Sequence, residues 1–335
     1  MNILVTGAAG YVGSVCAEQL VKQRHRVVSY DNLSAGHRAA VVPGAVFVQG
    51  DLADVAKLGR VCRKYKIEAA MHFAASALVD ESVRNPALFY RNNVSASLLL
   101  LDALVENKIT KLVFSSSAAV YGEPQAVPIP EDHPRAPINP YGETKLVLER
   151  TLAWYQRAYG LEFVALRYFN AAGATKRLGE DHRPETHLLP RLLQVLGDPS
   201  AEFAIYGDDY PTPDGTCVRD FVHVVDIAQA HILALRKLSK LKSVIYNVGL
   251  GKGYSIREVV DSVERLSGQK VKLKIGPRRI GDPASLVANP DRLRSELAWK
   301  PRHSDLATIV RSAWEWKRRH PNGYAAGKKA GAPAA

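Results

Sequence analysis

The chain has 335 residues, a formal net charge of +12 and 47% hydrophobic residues, which is enough to bury a full core and form more than one lobe. No apolar run approaches the roughly 20 residues of a membrane span, and MNILVTGAAG does not read as a secretory signal, so we expect a cytoplasmic protein that binds no membrane. The basic residues are spread among acids without interleaved aromatic residues, which argues against nucleic-acid binding, and the three separated cysteines indicate neither disulfides nor a thiolate metal site.

Strands and helices alternate over the first half of the chain. The β-branched run NILVTG (2–7) precedes a stretch of helical periodicity, and RVVSYDN (26–32) predicts the second strand. Later strand-like runs are VFVQGDL, AAMHFAA, KLVFSSS and EFVALRYFN, each separated from the next by a helical pattern. This alternation is typical of a parallel, doubly wound α/β sheet, so we predict a Rossmann domain over 1–170.

The pattern changes after the predicted Rossmann domain. A long polar segment broken by Gly and Pro marks a boundary, and Ser255 with Glu258 forms the S-x-x-E pattern of a capping box at a helix start. We therefore predict a smaller α/β lobe over 171–324, with a segment near 216–235 returning to the first domain. The small, basic residues 325–335 predict a disordered tail.

Three glycines follow the first predicted strand, namely Gly7, Gly10 and Gly13. Such glycines permit a tight turn and let backbone N–H groups approach a pyrophosphate at the N-terminus of the next helix. The spacing G-x-x-G-x-x-G differs from the common dinucleotide fingerprint, but its place between strand and helix supports the same function. Asp31 ends the second strand, 18 residues past Gly13, where a carboxylate can bind both adenosine ribose hydroxyls and repel a 2′-phosphate. We therefore predict NAD rather than NADP.

Tyr141 and Lys145 lie four residues apart at a predicted helix start that Asn139 and Pro140 mark, so their side chains share one helical face. A phenol with a pKa of about 10 must lose roughly three units to act as a base near pH 7. Positive charge from the lysine and from an oxidised nicotinamide can lower the pKa by that amount. Upstream, a predicted strand ends at Ser117, whose hydroxyl can hydrogen bond to a substrate. We predict that these serine, tyrosine and lysine side chains are catalytic.

Five distinctive segments follow one another along the chain, namely TGAAGYVGS, FSSSAAVYGE, NPYGETK, LRYFNAAGA and YGDDYPTPDGTCVRDFVHV. From Met1 to about Tyr324 the chain thereby resembles the extended short-chain dehydrogenase/reductase family and, within it, the UDP-glucose (UDP-galactose) 4-epimerases. The resemblance implies NAD-dependent 4-epimerisation of a UDP-hexose through a transient 4-keto sugar. In that mechanism Tyr141, as phenolate, removes the proton from sugar O4 while the C4 hydride passes to NAD. Ser117 holds the hydroxyl, and the sugar turns over and takes the hydride back on its other face.

The resemblance also implies which residues bind each ligand. Those facing NAD would be Gly7, Gly10, Tyr11, Val12, Gly13, Asp31, Asn32, Asp51, Leu52, Phe73, Ala74, Ala75, Asn93, Ser115, Tyr141, Lys145 and Tyr168. Those facing the UDP-sugar would be Ser117, Tyr141, Asn170, His187, Leu188, Ala204, Ile205, Tyr206, Arg219, Phe221, Arg279 and Asp282. The two arginines would act as forked donors to phosphate. Many such proteins pair helices across a two-fold axis, so we expect a homodimer through SLLLLDALV and the Tyr141 helix.

Some positions depart from the pattern of the relatives and leave alternatives open. His187 stands where many have an asparagine, residues 76–78 lie where some carry a lysine, and Leu286 is intermediate between a bulky tyrosine and the smaller residues that accept N-acetylated sugars. A 4-epimerase for a UDP-N-acetylhexosamine, UDP-pentose or UDP-uronate therefore stays open. Ala118 and Ala119 disfavour a 4,6-dehydratase because alanine cannot transfer protons. A catalytically silent nucleotide-binding regulator is the alternative from another class.

Two further segments carry no predicted site. His182, Glu185 and His187 fit no zinc-ligand spacing, so the sequence predicts no metal site and disfavours a metal hydrolase. The glycine-rich stretch GLGKG (249–253) lacks the Walker pattern, and we interpret it as a loop before the capped helix. NAD is thus the cofactor that the sequence predicts.

Overall fold

The computed structural model describes residues 1–324 except 197, 199, 242, 280 and 281. The predicted disordered tail, 325–335, lies outside the described residues. Within the described part of the chain, every helix is too short or too polar to cross a membrane.

Short strands and helices alternate along the whole of the described chain. The strands are β1 (Asn2–Thr6), β2 (Arg26–Asp31), β3 (Val46–Gln49), β4 (Ala69–His72), β5 (Lys111–Ser117), β6 (Glu162–Tyr168), β7 (Asn170–Ala172), β8 (Phe203–Tyr206), β9 (Val218–Arg219), β10 (Phe221–His223), β11 (Ser243–Val248), β12 (Tyr254–Ser255), β13 (Leu273–Gly276) and β14 (Ser285–Leu286). The helices are α1 (Tyr11–Lys22), α2 (Val55–Lys64), α3 (Val79–Arg84), α4 (Pro86–Phe89), α5 (Ala96–Glu106), α6 (Pro140–Tyr159), α7 (Leu188–Val195), α8 (Val224–Leu241), α9 (Ile256–Ser267), α10 (Asp291–Leu297) and α11 (Leu306–Arg319).

Seven strands form one parallel sheet in the order β11-β6-β5-β4-β1-β2-β3. Because successive side chains of a strand point to opposite faces, β1 contributes to two cores. Ile3 and Val5 belong to the apolar cluster that includes residues of α1 and α8, whereas Leu4 belongs to the cluster that includes residues of α2, α5 and α6. Helices thus cover both faces, which confirms the predicted doubly wound α/β fold.

The sheet also takes in chain that follows the predicted boundary. Helix α8 packs against α1, β5 and β6. Strand β11 then pairs in parallel with β6, with Val244 opposite Val164. The segment that returns to the sheet therefore extends to residue 248, beyond the predicted 216–235, because β11 is needed to cover the open edge of β6.

The remaining elements form the second core of the molecule. Strand β8 pairs with β13, and Phe203 and Ile205 of β8 pack with apolar side chains of α7, α9 and α11 such as Leu192, Val263 and Ile309. Helix α9 begins with the predicted capping box, in which the Ser255 hydroxyl accepts the N–H of Glu258 and the Glu258 carboxylate accepts the N–H of Ser255.

Candidate active site

The glycines after β1 form a close turn into α1. Gly7 has a φ of +70°, which L-residues rarely adopt, and a Cβ on Gly13 would lie 2.2 Å from the carbonyl oxygen of Gly7. The N-cap residue, Gly10, has no side chain to cap the first-turn N–H groups, which include those of Tyr11 and Val12. Uncapped N–H groups at a helix N-terminus suit an anion, so this turn can hold a pyrophosphate.

Asp31 lies beside this glycine turn at the end of β2. Its Oδ2 accepts the N–H of Ala9 at 2.9 Å and its Oδ1 accepts the N–H of Leu33 at 2.8 Å, so the buried carboxylate has one fixed orientation. Nearby, Asn32 donates its side-chain amide to Oδ2 of Asp51 at 2.7 Å. The residues predicted for the adenosine half of the cofactor therefore lie together, next to the buried Leu52.

Asn93 is buried in a π-helical turn over Tyr90–Ser95 and supports the loop after β4. Its amide donates to the carbonyl of Ser76 at 3.0 Å and to Oγ1 of Thr144 at 3.1 Å, while its Oδ1 accepts the N–H of Ser76 at 2.7 Å. Both amide protons are thus used within the protein. This geometry favours a role in positioning the neighbouring Phe73, Ala74 and Ala75 over the direct cofactor contact that the sequence predicts.

The three predicted catalytic side chains meet at the carboxyl end of β5. Ser117 ends this strand, and Tyr141 lies in the first turn of α6, where Oδ1 of Asn139 caps the helix by accepting the N–H of Gly142 at 2.8 Å. Lys145, one turn later, donates from Nζ to the carbonyl of Ser115 at 2.9 Å and lies 5.7 Å from the centre of the Tyr141 ring. The edge of the sheet therefore brings a hydroxyl, a phenol and an amine to one place.

Burial shifts the two titrating groups away from their charged forms. It raises the pKa of the Tyr141 phenol above its ordinary value, and the Ser117 hydroxyl only partly offsets this rise. It also lowers the pKa of Lys145 to about 7, against an opposing attraction from Glu149. In the protein without cofactor, desolvation therefore acts more strongly than charge on both groups, and Lys145 by itself does not bring the pKa of the phenol below its ordinary value. The predicted activation also requires the charge of an oxidised nicotinamide.

A buried ion pair that sequence reasoning missed supports this site. Glu149 accepts from Arg167 of β6 at both carboxylate oxygens, Oε1 from Nε at 2.8 Å and Oε2 from Nη2 at 2.5 Å. The Ser116 hydroxyl also donates to Glu149 at 2.5 Å, which connects α6 to the strand that ends at Ser117, the predicted catalytic serine. The available signal was spacing, because Glu149 follows Lys145 by four residues and shares its helical face.

Ser115 and Tyr168, both predicted to face the cofactor, hydrogen bond to each other through their hydroxyl groups. They lie at neighbouring strand ends, because Ser117 of β5 is in register with Tyr168 of β6. The contact joins two residues of the predicted cofactor site at the carboxyl edge of the sheet.

The predicted nucleotide-binding arginines already have protein partners. Arg219 forms an ion pair with Asp282 and donates from Nη1 to the carbonyl of Pro283 at 2.9 Å. The guanidinium of Arg279 lies 4.2 Å from the centre of the Tyr206 ring. Hydrogen bonds from Arg191 and Arg279 lower the pKa of the Tyr206 phenol. Arg191, on α7, is a cationic neighbour that the sequence analysis did not identify.

The other predicted substrate residues lie on short strands of the second lobe and on α7. Strand β7 pairs with β10, which places Asn170 opposite the buried Phe221. Ala204, Ile205 and Tyr206 form the end of β8, and Leu188 begins α7. His187 directs its Nδ1 towards Glu185, at 3.0 Å, so this ring nitrogen is used within the loop rather than for a substrate.

The glycine-rich stretch 249–253 wraps around a carboxylate of the protein itself. Asp220 is fully buried and accepts the N–H groups of Leu250, Gly251 and Ala288 at 2.9 to 3.2 Å. Burial nevertheless raises the pKa of Asp220 to about 6. The N–H groups of Leu250 and Gly251 are thus satisfied without a phosphate, in agreement with the interpretation of this stretch as a loop before α9.

Comparison with known proteins identifies the family of this chain. The sequence model of the NAD dependent epimerase/dehydratase family matches residues 3–249, most of the chain. The chain belongs to this family. A curated epimerase/dehydratase relative, the UDP-glucose 4-epimerase of Lactobacillus helveticus, is 48% identical over 327 residues, which are 97% of this chain and 99% of that protein.

Solved structures of the same family share the fold. The UDP-glucose 4-epimerase from Brucella ovis in complex with NAD is 48% identical, with a TM-score of 0.91 over 93% of this chain and 97% of that chain. The UDP-glucose 4-epimerase from Bifidobacterium longum in complex with NAD⁺ and UDP is 35% identical, with a TM-score of 0.91 over 97% of this chain and 100% of that chain. The resemblance that the motifs indicate is confirmed.

Proposed function

We propose that this protein is an NAD-dependent epimerase that interconverts UDP-glucose and UDP-galactose through a transient 4-keto sugar. The observation that carries the proposal is the meeting of Ser117, Tyr141 and Lys145 at the sheet edge that also holds the glycine turn and Asp31. The near full-length similarity to UDP-glucose 4-epimerases supports the same reaction.

NAD fits the residues at this edge. A Cβ on Gly7 would lie 2.5 Å from the backbone nitrogen of Ala74, and one on Gly13 would lie 2.2 Å from the carbonyl oxygen of Gly7, so the glycines let the turn, the loop after β4 and α1 pack closely and leave the N–H groups of the first turn free of side chains for a pyrophosphate. The first turn of α1 binds the pyrophosphate, and the fixed carboxylate of Asp31 accepts the adenosine ribose hydroxyls. Bound NAD supplies the acceptor and donor of the hydride at sugar C4.

The chain's own residues move the proton. Ser117 hydrogen bonds to the O4 hydroxyl of the sugar and orients it towards the phenolic oxygen of Tyr141. The phenolate accepts the O4 proton and later returns it, which is general base and then general acid catalysis by one group. Lys145 stabilises the phenolate when its amine is protonated.

The second lobe holds the nucleotide. Arg219 and Arg279 bind the diphosphate, with Asp282 keeping Arg219 in place, and residues 204–206 with Phe221 line the nucleoside. Each charged contact proposed here goes to the nucleotide, which leaves the hexose free to turn over between the two hydride transfers.

A 4-epimerase for another UDP-sugar is the second candidate, which Leu286 leaves open although the similarity to UDP-glucose 4-epimerases does not favour it. This half-buried leucine packs on the apolar cluster that contains Ala118 and Tyr121, directly after Ser117 in sequence. A side chain of intermediate size at this place allows a pentose, an N-acetylhexosamine or a uronate. A silent regulator is disfavoured because all three catalytic side chains are present and close together.

A homodimer in the cytoplasm is the assembly that we propose. Helix α6 presents Trp154 and Tyr159, which are 65% and 57% exposed, and large exposed aromatic residues on a helix suit an isologous interface with a second copy. The three cysteines are free thiols, as expected in a reducing compartment. Sedimentation at micromolar concentration checks the dimer, and a monomer there contradicts it.

The test of function uses purified protein without added NAD. It is incubated with UDP-galactose, UDP-N-acetylgalactosamine and UDP-xylose, and the products are resolved by chromatography. We expect conversion of UDP-galactose by cofactor that stays bound. Tyr141→Phe should keep the bound NAD and lose turnover by about 10²- to 10⁴-fold, because the general base is gone.

The matched control is Tyr65→Phe, since Tyr65 follows α2, away from the carboxyl edge of the sheet, and should retain activity. Unaltered turnover by Tyr141→Phe removes the tyrosine from its role. Failure of the wild type on all three sugars, with NAD bound, rejects the reaction itself. Conversion of UDP-xylose or the N-acetylated sugar alone selects the second candidate.

A further inference from the structure

The loop between β7 and α7 brings four potential metal ligands together. Nδ1 of His187 lies 3.1 Å from Oε1 of Glu180 and 3.0 Å from Oε1 of Glu185. Nδ1 of His182 lies 3.4 Å from Oε1 of Glu180 and 3.7 Å from Oε2 of Glu185. One ligand atom from each of the four residues lies within 4.8 Å of all the others.

These separations, 3.0 to 3.7 Å, are also those of ligand atoms around one metal ion. Ligand atoms that are each about 2.05 Å from a tetrahedral Zn²⁺ are about 3.4 Å from one another. The Nδ1 of His182 is shielded from solvent, yet it makes no hydrogen bond of normal geometry. A shielded ring nitrogen that lies 3.4 and 3.7 Å from two carboxylates without a hydrogen bond to either is free to serve as a metal ligand.

The backbone holds the carboxylates in place. Oε1 of Glu185 accepts the N–H groups of Thr186 and His187, both at 2.9 Å, and Oε2 accepts the N–H of His182 at 3.2 Å. The side chains of Glu180 and Glu185 are only 8% and 4% exposed. Two buried carboxylates need two positive charges nearby, which either two imidazolium groups or one divalent cation can supply.

We propose that Glu180, His182, Glu185 and His187 bind one divalent transition-metal ion of the zinc class. Two imidazole nitrogens with two carboxylate oxygens suit Zn²⁺, whereas Mg²⁺ and Ca²⁺ favour oxygen ligands throughout. The histidine side chains are 25% and 39% exposed, so the ion can enter from solvent. The spacing E-x-H-x-x-E-x-H did not predict the site, because the four side chains come together where the loop folds back on itself and not along one helix face.

The bound ion fixes the loop in position next to α7 of the second lobe. Residues 180–187 end where α7 begins, and Leu188 and Arg191 of α7 lie at or near the proposed nucleotide site. A bound ion therefore stiffens the segment that leads into this helix. This effect on the nucleotide rests on the proposed function, whereas binding of the ion does not.

The test uses the untagged, full-length protein stripped with EDTA and dialysed. Zn²⁺ is titrated by calorimetry, and Co²⁺ is titrated with detection of its visible absorption. We expect one equivalent of either metal, with a Zn²⁺ affinity that Glu180→Gln and His182→Asn each weaken at least about tenfold. His303→Asn, which alters an exposed histidine outside this loop, is the matched control and should bind as the wild type does.

Binding of less than roughly 0.1 equivalent by the wild type overturns the proposal, as does unchanged binding by both variants when circular dichroism shows them folded. If the variants do not fold, the wild type decides. Its melting temperature should rise with Zn²⁺ and not with Mg²⁺, and no rise with Zn²⁺ rejects the site. These readouts do not involve turnover, so failure of the metal site and failure of the proposed epimerase activity can be distinguished.

Discussion

Replacing Lys145 with methionine tests whether burial keeps this amine neutral near pH 7. The side chain is 3% exposed, and burial lowers the pKa to about 7 from 10.5 in the unfolded chain. Between these two values the unfolded chain holds a proton that the folded protein has released. The free energy of unfolding therefore rises with pH across this window, and the lysine destabilises the fold most below pH 7.

The size of the effect follows from the pKa difference. Within the window, each pH unit changes the free energy of unfolding by about 1.4 kcal/mol for one titrating group. In the folded protein Lys145 is half-protonated at pH 7. Its titration therefore raises the free energy of unfolding of the wild type by about 2 kcal/mol between pH 7 and pH 9. Methionine does not titrate, so Lys145→Met should be more stable than the wild type at pH 7, and this advantage should shrink by about 2 kcal/mol at pH 9.

The assay is urea unfolding of both cofactor-free proteins at the two pH values, followed by tryptophan fluorescence. The other titrating groups are common to both proteins and cancel in the difference. Lys64→Met, which alters an exposed lysine at the end of α2, is the control and should differ from the wild type equally at both pH values. A difference between Lys145→Met and the wild type that does not change with pH would refute the lowered pKa.

Two further substitutions test the ion pair and the cofactor carboxylate. Glu149→Gln leaves the guanidinium of Arg167 buried without its counter-charge, so the free energy of unfolding should fall by about 3–5 kcal/mol in urea titrations; a loss within about 0.5 kcal/mol, as for a surface change, contradicts this. Asp31→Asn removes the charge that repels a 2′-phosphate, so calorimetry should show NAD bound more weakly and the preference over NADP reduced. Equal binding of both cofactors by the wild type would already exclude this role.

The sheet and the glycine turn could be predicted because their signals are local. A β-branched run, glycines directly after it and an acid at the end of the next strand report on the backbone within about 30 residues. The Glu149–Arg167 pair could not be predicted in the same way. Its partners come from α6 and β6 and meet only because β6 lies beside β5 in the sheet.

The pKa shifts and the side-chain cluster in the loop before α7 could not be predicted either, because they depend on burial and on how the loop folds. The spacing of Tyr141 and Lys145 predicts that the two groups are close, but the direction of each pKa shift depends on how completely the folded chain removes water. The Glu180 to His187 cluster depends on a loop that folds back on itself, and neither helical nor strand periodicity describes such a path.

The opposite shifts of Tyr141 and Lys145 define when the base can form. Moving the phenol proton onto the lysine in the cofactor-free protein costs at least three pKa units, or about 4 kcal/mol, because burial raises one pKa and lowers the other. The attraction between the resulting charges, taken over the 5.7 Å from Nζ to the ring centre, returns about 3 kcal/mol at an effective dielectric constant of 20. The neutral pair is therefore the more stable state.

A second positive charge near the phenol reverses this balance. A unit positive charge contributes about 3 kcal/mol at a separation of about 5 Å and the same dielectric constant, which is enough to favour the phenolate. In the proposed mechanism, an oxidised dinucleotide held against β5 and α6 would supply this second charge. Removal of the sugar O4 proton by Tyr141 would then be coupled to the presence of the hydride acceptor.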